Sequence, residues 1–309
     1  MSLAPIALFA YNRLDHLRQT LASLAANDLA SRSALRIYSD APKSAAHEAG
    51  VLAVRNYLKT VTGFGSVTIV EQPTNKGLAA SVIDGVTELC READRVIVLE
   101  DDLVLAPAFL EFMNGALERY RGADRVMQVS GYMFPVKHPD RLPEIFFTRL
   151  PNSWGWATWS RAWSAFNPDA RSLLARIEGD RRGSDFDIDG SYGYLDMLRM
   201  QTSGQVDSWA VRWYASMFVA DGLCVRPARS LVQNAGFDGT GMHCDETPAF
   251  DVALSDARAG HWPDKIEECP EAIAAVAQFF RSLRPTPLQR ARSRLRGWLT
   301  RATTAGPLA

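Results

Sequence analysis

A short apolar run, Pro5-Ile6-Ala7-Leu8-Phe9-Ala10, opens the chain and breaks at Tyr11-Asn12-Arg13. Its length suits a buried strand and is too short for a helix. Leu14, Leu17, Leu21 and Leu24 follow at helical spacing, the stripe of an amphipathic helix. The alternation then repeats. Leu35-Arg36-Ile37-Tyr38 predicts a strand ending at Ser39-Asp40, and Val51, Val54, Leu58 and Val61 mark one face of a second helix. Val67-Thr68-Ile69-Val70 predicts a third strand, broken by Thr74-Asn75-Lys76-Gly77, with Leu78, Val82 and Leu89 on a third helix. Arg95-Val96-Ile97-Val98-Leu99 is the fourth strand and runs straight into Glu100-Asp101-Asp102. Strands alternating with helices of this length predict βαβ units and a parallel sheet. Ligands of such sheets sit beyond the carboxyl ends of the strands. All four strand ends carry polar residues, including Arg13, Asp40, Asn75 and Lys76, so a site is expected where they converge.

The second half changes character. Val126-Met127-Gln128-Val129 predicts one more strand. The segments that follow are rich in tryptophan and glycine: Trp154-Gly155-Trp156-Ala157-Thr158-Trp159, then Asp207-Ser208-Trp209, then 234–243. They suit a loop-built site more than a layered core. We expect one α/β domain over residues 1–265, with a first half of about 1–125 and a second half of about 126–265. Residues 266–309 read as a C-terminal helical, basic tail, with no acidic residue after Glu271 and arginines at 290, 292, 294, 296 and 301.

Composition narrows the class. The 309 residues are 47% hydrophobic and 22% charged, which excludes disordered and collagen-like chains. A formal net charge of -1 argues against a nucleic-acid partner. No apolar run reaches the roughly 18 residues of a membrane span, and Met1 to Phe9 lacks the features of a signal peptide. The four cysteines have no Cys-x-x-Cys spacing, so reduced thiols and a cytoplasmic location are expected. The basic tail, with Leu288, Leu295, Trp298 and Leu299 as apolar partners, has two readings: peripheral contact with the inner face of an anionic membrane, or a solvated end.

The acidic triplet carries the first chemical signal. Three adjacent carboxylates at the end of an apolar strand repel one another unless a cation sits with them, and Mg²⁺ or Mn²⁺ commonly joins one or two carboxylates to substrate phosphates. A solvated acidic loop tip is the alternative. Leu103-Val104-Leu105-Ala106-Pro107 directly afterwards implies enclosure. Residues 185–190 match the first half of a calcium loop, but the twelfth position falls on Asp196 in place of a bidentate Glu. An acidic loop is the expectation there.

These residues together resemble a family. Asn12-Arg13, Ser39-Asp40 and Val98-Leu99-Glu100-Asp101-Asp102-Leu103, with Pro107 and Phe109, look like the GT-A glycosyltransferases, most of all the N-acetylglucosaminyltransferase I type and bacterial family-2-like sugar transferases. The second-half blocks at 152–159, 207–209 and 236–243 resemble the bacterial relatives. The resemblance implies a Rossmann-like, mainly parallel sheet flanked by helices. It implies that Asp102 holds the metal, Glu100 and Asp101 face the donor sugar and ribose, Asp40 meets the nucleobase and Arg13 the pyrophosphate. Asp207 stands where the family places its catalytic base, although Ser208 replaces the second acid of that motif. Trp154 and Trp156 are candidates to stack on sugar faces, with core filling as the alternative. His243 reads as closing over the diphosphate or adding a metal ligand, or else as a surface-loop histidine. The implied activity is metal-dependent, inverting transfer from a nucleotide sugar, UDP favoured, to a glycan or lipid-linked acceptor in surface polysaccharide or lipopolysaccharide assembly. The alternatives are a non-catalytic nucleotide- or sugar-binding protein of this fold, and a nucleotidylyltransferase. The latter is disfavoured by the lack of a glycine-rich, basic segment after the first strand.

Overall fold

Ile6–Ala10, buried at every position, forms β1 of the computed structural model, which describes residues 2–239, 247–255, 258 and 260–284. The alternation continues through α1 (Leu14–Ala25), β2 (Ala34–Ser39), α2 (Ala45–Leu58), β3 (Ser66–Glu71), α3 (Gly77–Ala93) and β4 (Arg95–Glu100). The second half adds β5 (Leu103–Leu105), α4 (Phe109–Arg119), β6 (Val126–Ser130), β7 (Ile145–Thr148) and β8 (Trp156–Trp159). A helical stretch follows: α5 (Ser160–Trp163), α6 (Ala170–Gly179), α7 (Gly183–Phe186), α8 (Tyr194–Thr202) and α9 (Trp209–Val219). The chain then closes with β9 (Leu223–Pro227), β10 (Val232–Asn234) and α10 (Pro270–Leu283).

Eight strands form one sheet in the order β3-β2-β1-β4-β8-β6-β9-β7. Six of them point the same way, and only β8 and β7 run against the rest. This is the mainly parallel, helix-flanked α/β sheet that the sequence leads one to expect. The central strands are apolar almost throughout because both faces are covered. On one face α3 approaches closely at Gly85, where a Cβ would fall 2.8 Å from the Phe9 ring and 3.0 Å from Tyr38. On the other face α4 packs on β8, and Trp159 donates its indole N–H to Leu117 O at 2.9 Å. β5 leaves the main sheet and pairs antiparallel with β10, Leu103 opposite Asn234.

Two expectations need correction. The 154–159 segment is largely a strand, because Trp156 and Trp159 point to opposite buried faces of the sheet and both are at most 1% exposed. Residues 266–284 pack as part of the body: α10 buries Ile273, Val276, Phe279 and Phe280, and Phe280 meets Phe134 at 5.0 Å between ring centroids. Cys269 N donates to Phe147 O at 2.9 Å, tying this segment to edge strand β7. The arginines beyond Pro285 lie outside the described residues. Among the described residues no helix is long and apolar enough to cross a membrane.

Candidate functional site

Because β1, β2, β3 and β4 are mutually parallel, their carboxyl ends share one edge. Two polar clusters form there. In the first, Arg13 at the start of α1 reaches the acidic triplet, with Nη2 donating to Asp101 Oδ1 at 3.0 Å and Asp102 Oδ2 at 2.7 Å. Tyr11 N donates to Asp101 Oδ2 at 3.1 Å. The Thr20 hydroxyl donates to Asp101 O at 2.9 Å and accepts from Leu103 N at 3.1 Å. Thus α1 is bolted to the β4–β5 turn, each bond contributing about 1 kcal/mol.

The electrostatics are those of crowded acids around one cation. Burial opposes the Arg13 charge, but Asp101 and Asp102 outweigh it and hold the guanidinium protonated beyond its ordinary range. Burial pushes the Glu100 carboxyl up to about 8, with Asp102 and Asp101 adding like charge. Burial also raises Asp101, against the pull of Arg13. Three carboxylates face one guanidinium, and two buried atoms are left over: Asp102 Oδ1 and Arg13 Nη1 have no hydrogen-bond partner. One wants a cation and the other an anion. A divalent ion carrying phosphate oxygens meets both needs. Among the described residues no group of three or more His, Cys, Asp or Glu side chains is arranged to hold a metal by itself.

A roof covers Asp102. Ala235 N donates to Asp102 O at 2.8 Å, and a Cβ on Gly236 would lie 2.2 Å from Asp102 Oδ2, so only glycine fits over the carboxylate. Phe237 anchors the roof by stacking on Phe250 at 5.1 Å and meeting Trp154 edge-on at 5.3 Å. Asp238 Oδ2 lies 3.1 Å from His16 Nε2 on α1. Between α1 and the roof is a cavity of about 630 Å³ lined by Asn12, Arg13, Asp15, His16, Gln19 and Asp238, among others.

The second cluster centres on Asp40, 8% exposed. Its Oδ1 accepts from Ala41 N and Lys76 N, both at 2.9 Å, and its Oδ2 accepts from Gly77 N at 2.9 Å and Asn75 Nδ2 at 3.0 Å. The carboxylate therefore holds the β3–α3 turn and the start of α3. Asn75 also donates to Ala41 O at 2.7 Å, while Lys76 Nζ turns outward to Asp84 at 2.8 Å. Arg55 braces the same strand ends, donating to Gln72 O at 2.8 Å.

The remaining expected residues fall as follows. Trp156 pairs across from Val98 and stacks on Trp209 at 5.1 Å, beside Trp163 and Trp213. At 0% exposure it fills the core and offers no face to a sugar. Trp154 is half-buried in the roof's aromatic cluster. Ser208 caps α9, its Oγ accepting from Val211 N at 3.2 Å, which accounts for serine at that position. Asp207 precedes the cap with its side chain 73% exposed and paired to Arg212 at 2.8 Å. Trp209, the first residue of α9, rests on Trp156, which pairs with Val98 of β4. In the 185–196 loop, Asp187 accepts from Leu195 N, Asp189 pairs with Arg149 and Asp196 with Arg199, so these acids are engaged by the protein itself. His243 lies outside the described residues.

Sequence reasoning missed Tyr11, Thr20, His16 and Asn234, whose Oδ1 accepts from Gly236 N at 2.7 Å. Tyr11 and Asn234 lie in segments that the pattern marks, the break after the first strand and the 234–243 stretch, while His16 and Thr20 fall inside the first helical stripe.

No family model and no curated protein matches the chain. Among solved structures it is similar to a mannosyltransferase from Pyrobaculum calidifontis in complex with GDP-Man and Mn²⁺: 14% identity, 71% of this chain, 75% of that one, TM-score 0.36. It is also similar to S. aureus TarS, with 9% identity over 76% of this chain and a TM-score of 0.38, and spans only 37% of that protein. A cytidylyltransferase from Leptospira borgpetersenii serovar Hardjo-bovis matches at 12% identity over 54% of this chain and 63% of its own, TM-score 0.34. None of the three is named as an N-acetylglucosaminyltransferase of type I. At these scores the weight rests on the chain's own topology and residues.

Proposed function

We propose that this protein is a metal-dependent, inverting glycosyltransferase that moves a hexosyl or N-acetylhexosaminyl group from a nucleotide-sugar donor to a glycan or lipid-linked acceptor. Surface polysaccharide or lipopolysaccharide assembly is the setting we favour. One observation carries this reading: Asp102 and Arg13, ion-paired at the carboxyl edge of a parallel sheet, each keep a buried, unpartnered atom, Oδ1 and Nη1, and Arg13 lines the adjoining cavity. Asp102 would hold Mn²⁺ or Mg²⁺, and a bound ion there supplies charge stabilisation to a departing diphosphate. The chain's own part follows. Arg13 Nη1 donates to a diphosphate oxygen and stabilises the negative charge that grows as the glycosidic bond breaks. Asp207 accepts the proton of the acceptor hydroxyl, whose oxygen attacks the anomeric carbon from the face opposite the leaving group. One displacement with one base inverts the centre.

The occupied state of Asp40 shifts its role in this reading. With four donors on its two oxygens it shapes the base pocket by fixing the 75–77 turn, so the preference for UDP is left to direct measurement. The test is paired. Asp102→Ala weakens nucleotide binding in Mn²⁺ buffer only, and Asp207→Asn keeps donor affinity but abolishes transfer. Equal binding by Asp102→Ala with and without Mn²⁺ removes the metal role, and full transfer by Asp207→Asn removes the base.

A further inference from the structure

The His16–Asp238 contact bridges the two walls of the cavity. His16 stands in the first turn of α1, one turn after Arg13, and Asp238 ends the roof that Gly236 lays over Asp102. Both residues line the same cavity as Asn12 and Arg13. The connection closes a ring: Arg13 to Asp102, Asp102 to Ala235 and Gly236, Asp238 to His16, and α1 back to Arg13. The imidazole is 15% exposed and the Asp238 carboxylate 43%, so the histidine is the enclosed partner and the acid stands nearer solvent.

The charges in the ring are unequal to their task. Arg13 divides one guanidinium nitrogen, Nη2, between two carboxylates, and its buried Nη1 is unpartnered. A nucleoside diphosphate brings several anionic oxygens into the same cavity, more than the two N–H groups of Nη1 satisfy. Among the described lining residues, the other basic side chain is His16. With Nε2 turned to Asp238, Nδ1 is the ring position left for a ligand. Asp238 fixes the plane of the ring, as carboxylate partners of histidine do elsewhere.

We infer that His16 is a second diphosphate-binding residue, donating to a phosphoryl oxygen of the donor, and that Asp238 is its positioning residue. This rests on the nucleotide-sugar reading above. It also gives the roof a chemical purpose, since the segment that shields Asp102 is the one that aims His16.

Calorimetric titration of the full chain with UDP, GDP and dTDP, and with their monophosphates, in Mn²⁺ buffer tests this. His16→Ala should weaken the best-bound diphosphate roughly tenfold or more. It should leave the matching monophosphate within about twofold, so that the diphosphate-to-monophosphate preference collapses. Asp238→Asn should show a smaller loss of the same preference, and His16→Gln, which keeps a donor, should recover part of it. Melting curves confirm that each variant is folded. An unchanged preference in His16→Ala overturns the inference while leaving the transferase reading intact, and equal weakening of both nucleotides assigns His16 a structural role and overturns it too. Binding of no nucleotide by the wild type overturns both.

Discussion

Arg13 carries more than one side chain usually does. Its Nη2 neutralises Asp101 and Asp102 together, and both acids are enclosed, so removing the guanidinium leaves buried charge without compensation. Losing one partner of such a cluster costs on the order of 3 kcal/mol. Arg13→Ala should therefore unfold at lower denaturant concentration than the wild type, and Mn²⁺ should recover part of the loss because the ion takes over the carboxylate charge. A variant indifferent to Mn²⁺ would show that the triplet does not bind a cation. At this scale the sequence was legible by residue type and illegible by partner. Glu100-Asp101-Asp102 announces crowded acid at a strand end. Nothing in the sequence around Asp40 says that four donors from Ala41 and the 75–77 turn will occupy it, because those contacts depend on how β2 and β3 are brought side by side.

Among the elements, α9 and β8 show how a motif is divided between scaffold and site. The Asp207-Ser208-Trp209 segment gives its serine to the helix cap and its tryptophan to the core stack on Trp156, leaving Asp207 exposed and paired to Arg212. Trp156→Phe should accordingly lower stability by on the order of 1–2 kcal/mol, through incomplete filling of the tryptophan cluster. Donor affinity should stay within about twofold, as read by melting temperature and calorimetry on the same samples. Loss of donor binding at unchanged stability would instead make Trp156 a stacking platform. The first four strands were readable because each is an apolar run bounded by polar residues. β8 was not, since Trp-Gly-Trp at its start resembles loop composition and its burial on both faces comes from α4 and α9, distant in sequence. α10 was read as the start of a tail for a similar reason: its apolar face finds Phe134, far back in the chain, and this contact leaves no local mark.

Across the whole molecule, one sheet gathers the proposed donor site. β1 to β4 deliver Arg13 and the acidic triplet to the carboxyl edge, and the antiparallel β8 sets Trp156 beside β4, where Trp209 of α9 stacks on it. The β5–β10 ribbon then brings the 235–238 roof over Asp102. The central claim is that this edge binds a nucleotide through a divalent cation, and a thermal-shift panel of UDP, GDP, dTDP and CMP, each with and without Mn²⁺, tests it most directly. A ligand bound only by the native state stabilises it by about 2.7 kcal/mol at a hundredfold excess over Kd. The account predicts that at least one nucleoside diphosphate raises the melting temperature when Mn²⁺ is present and fails to do so without it. Flat curves across the panel, or a shift of equal size with and without the metal, would contradict it.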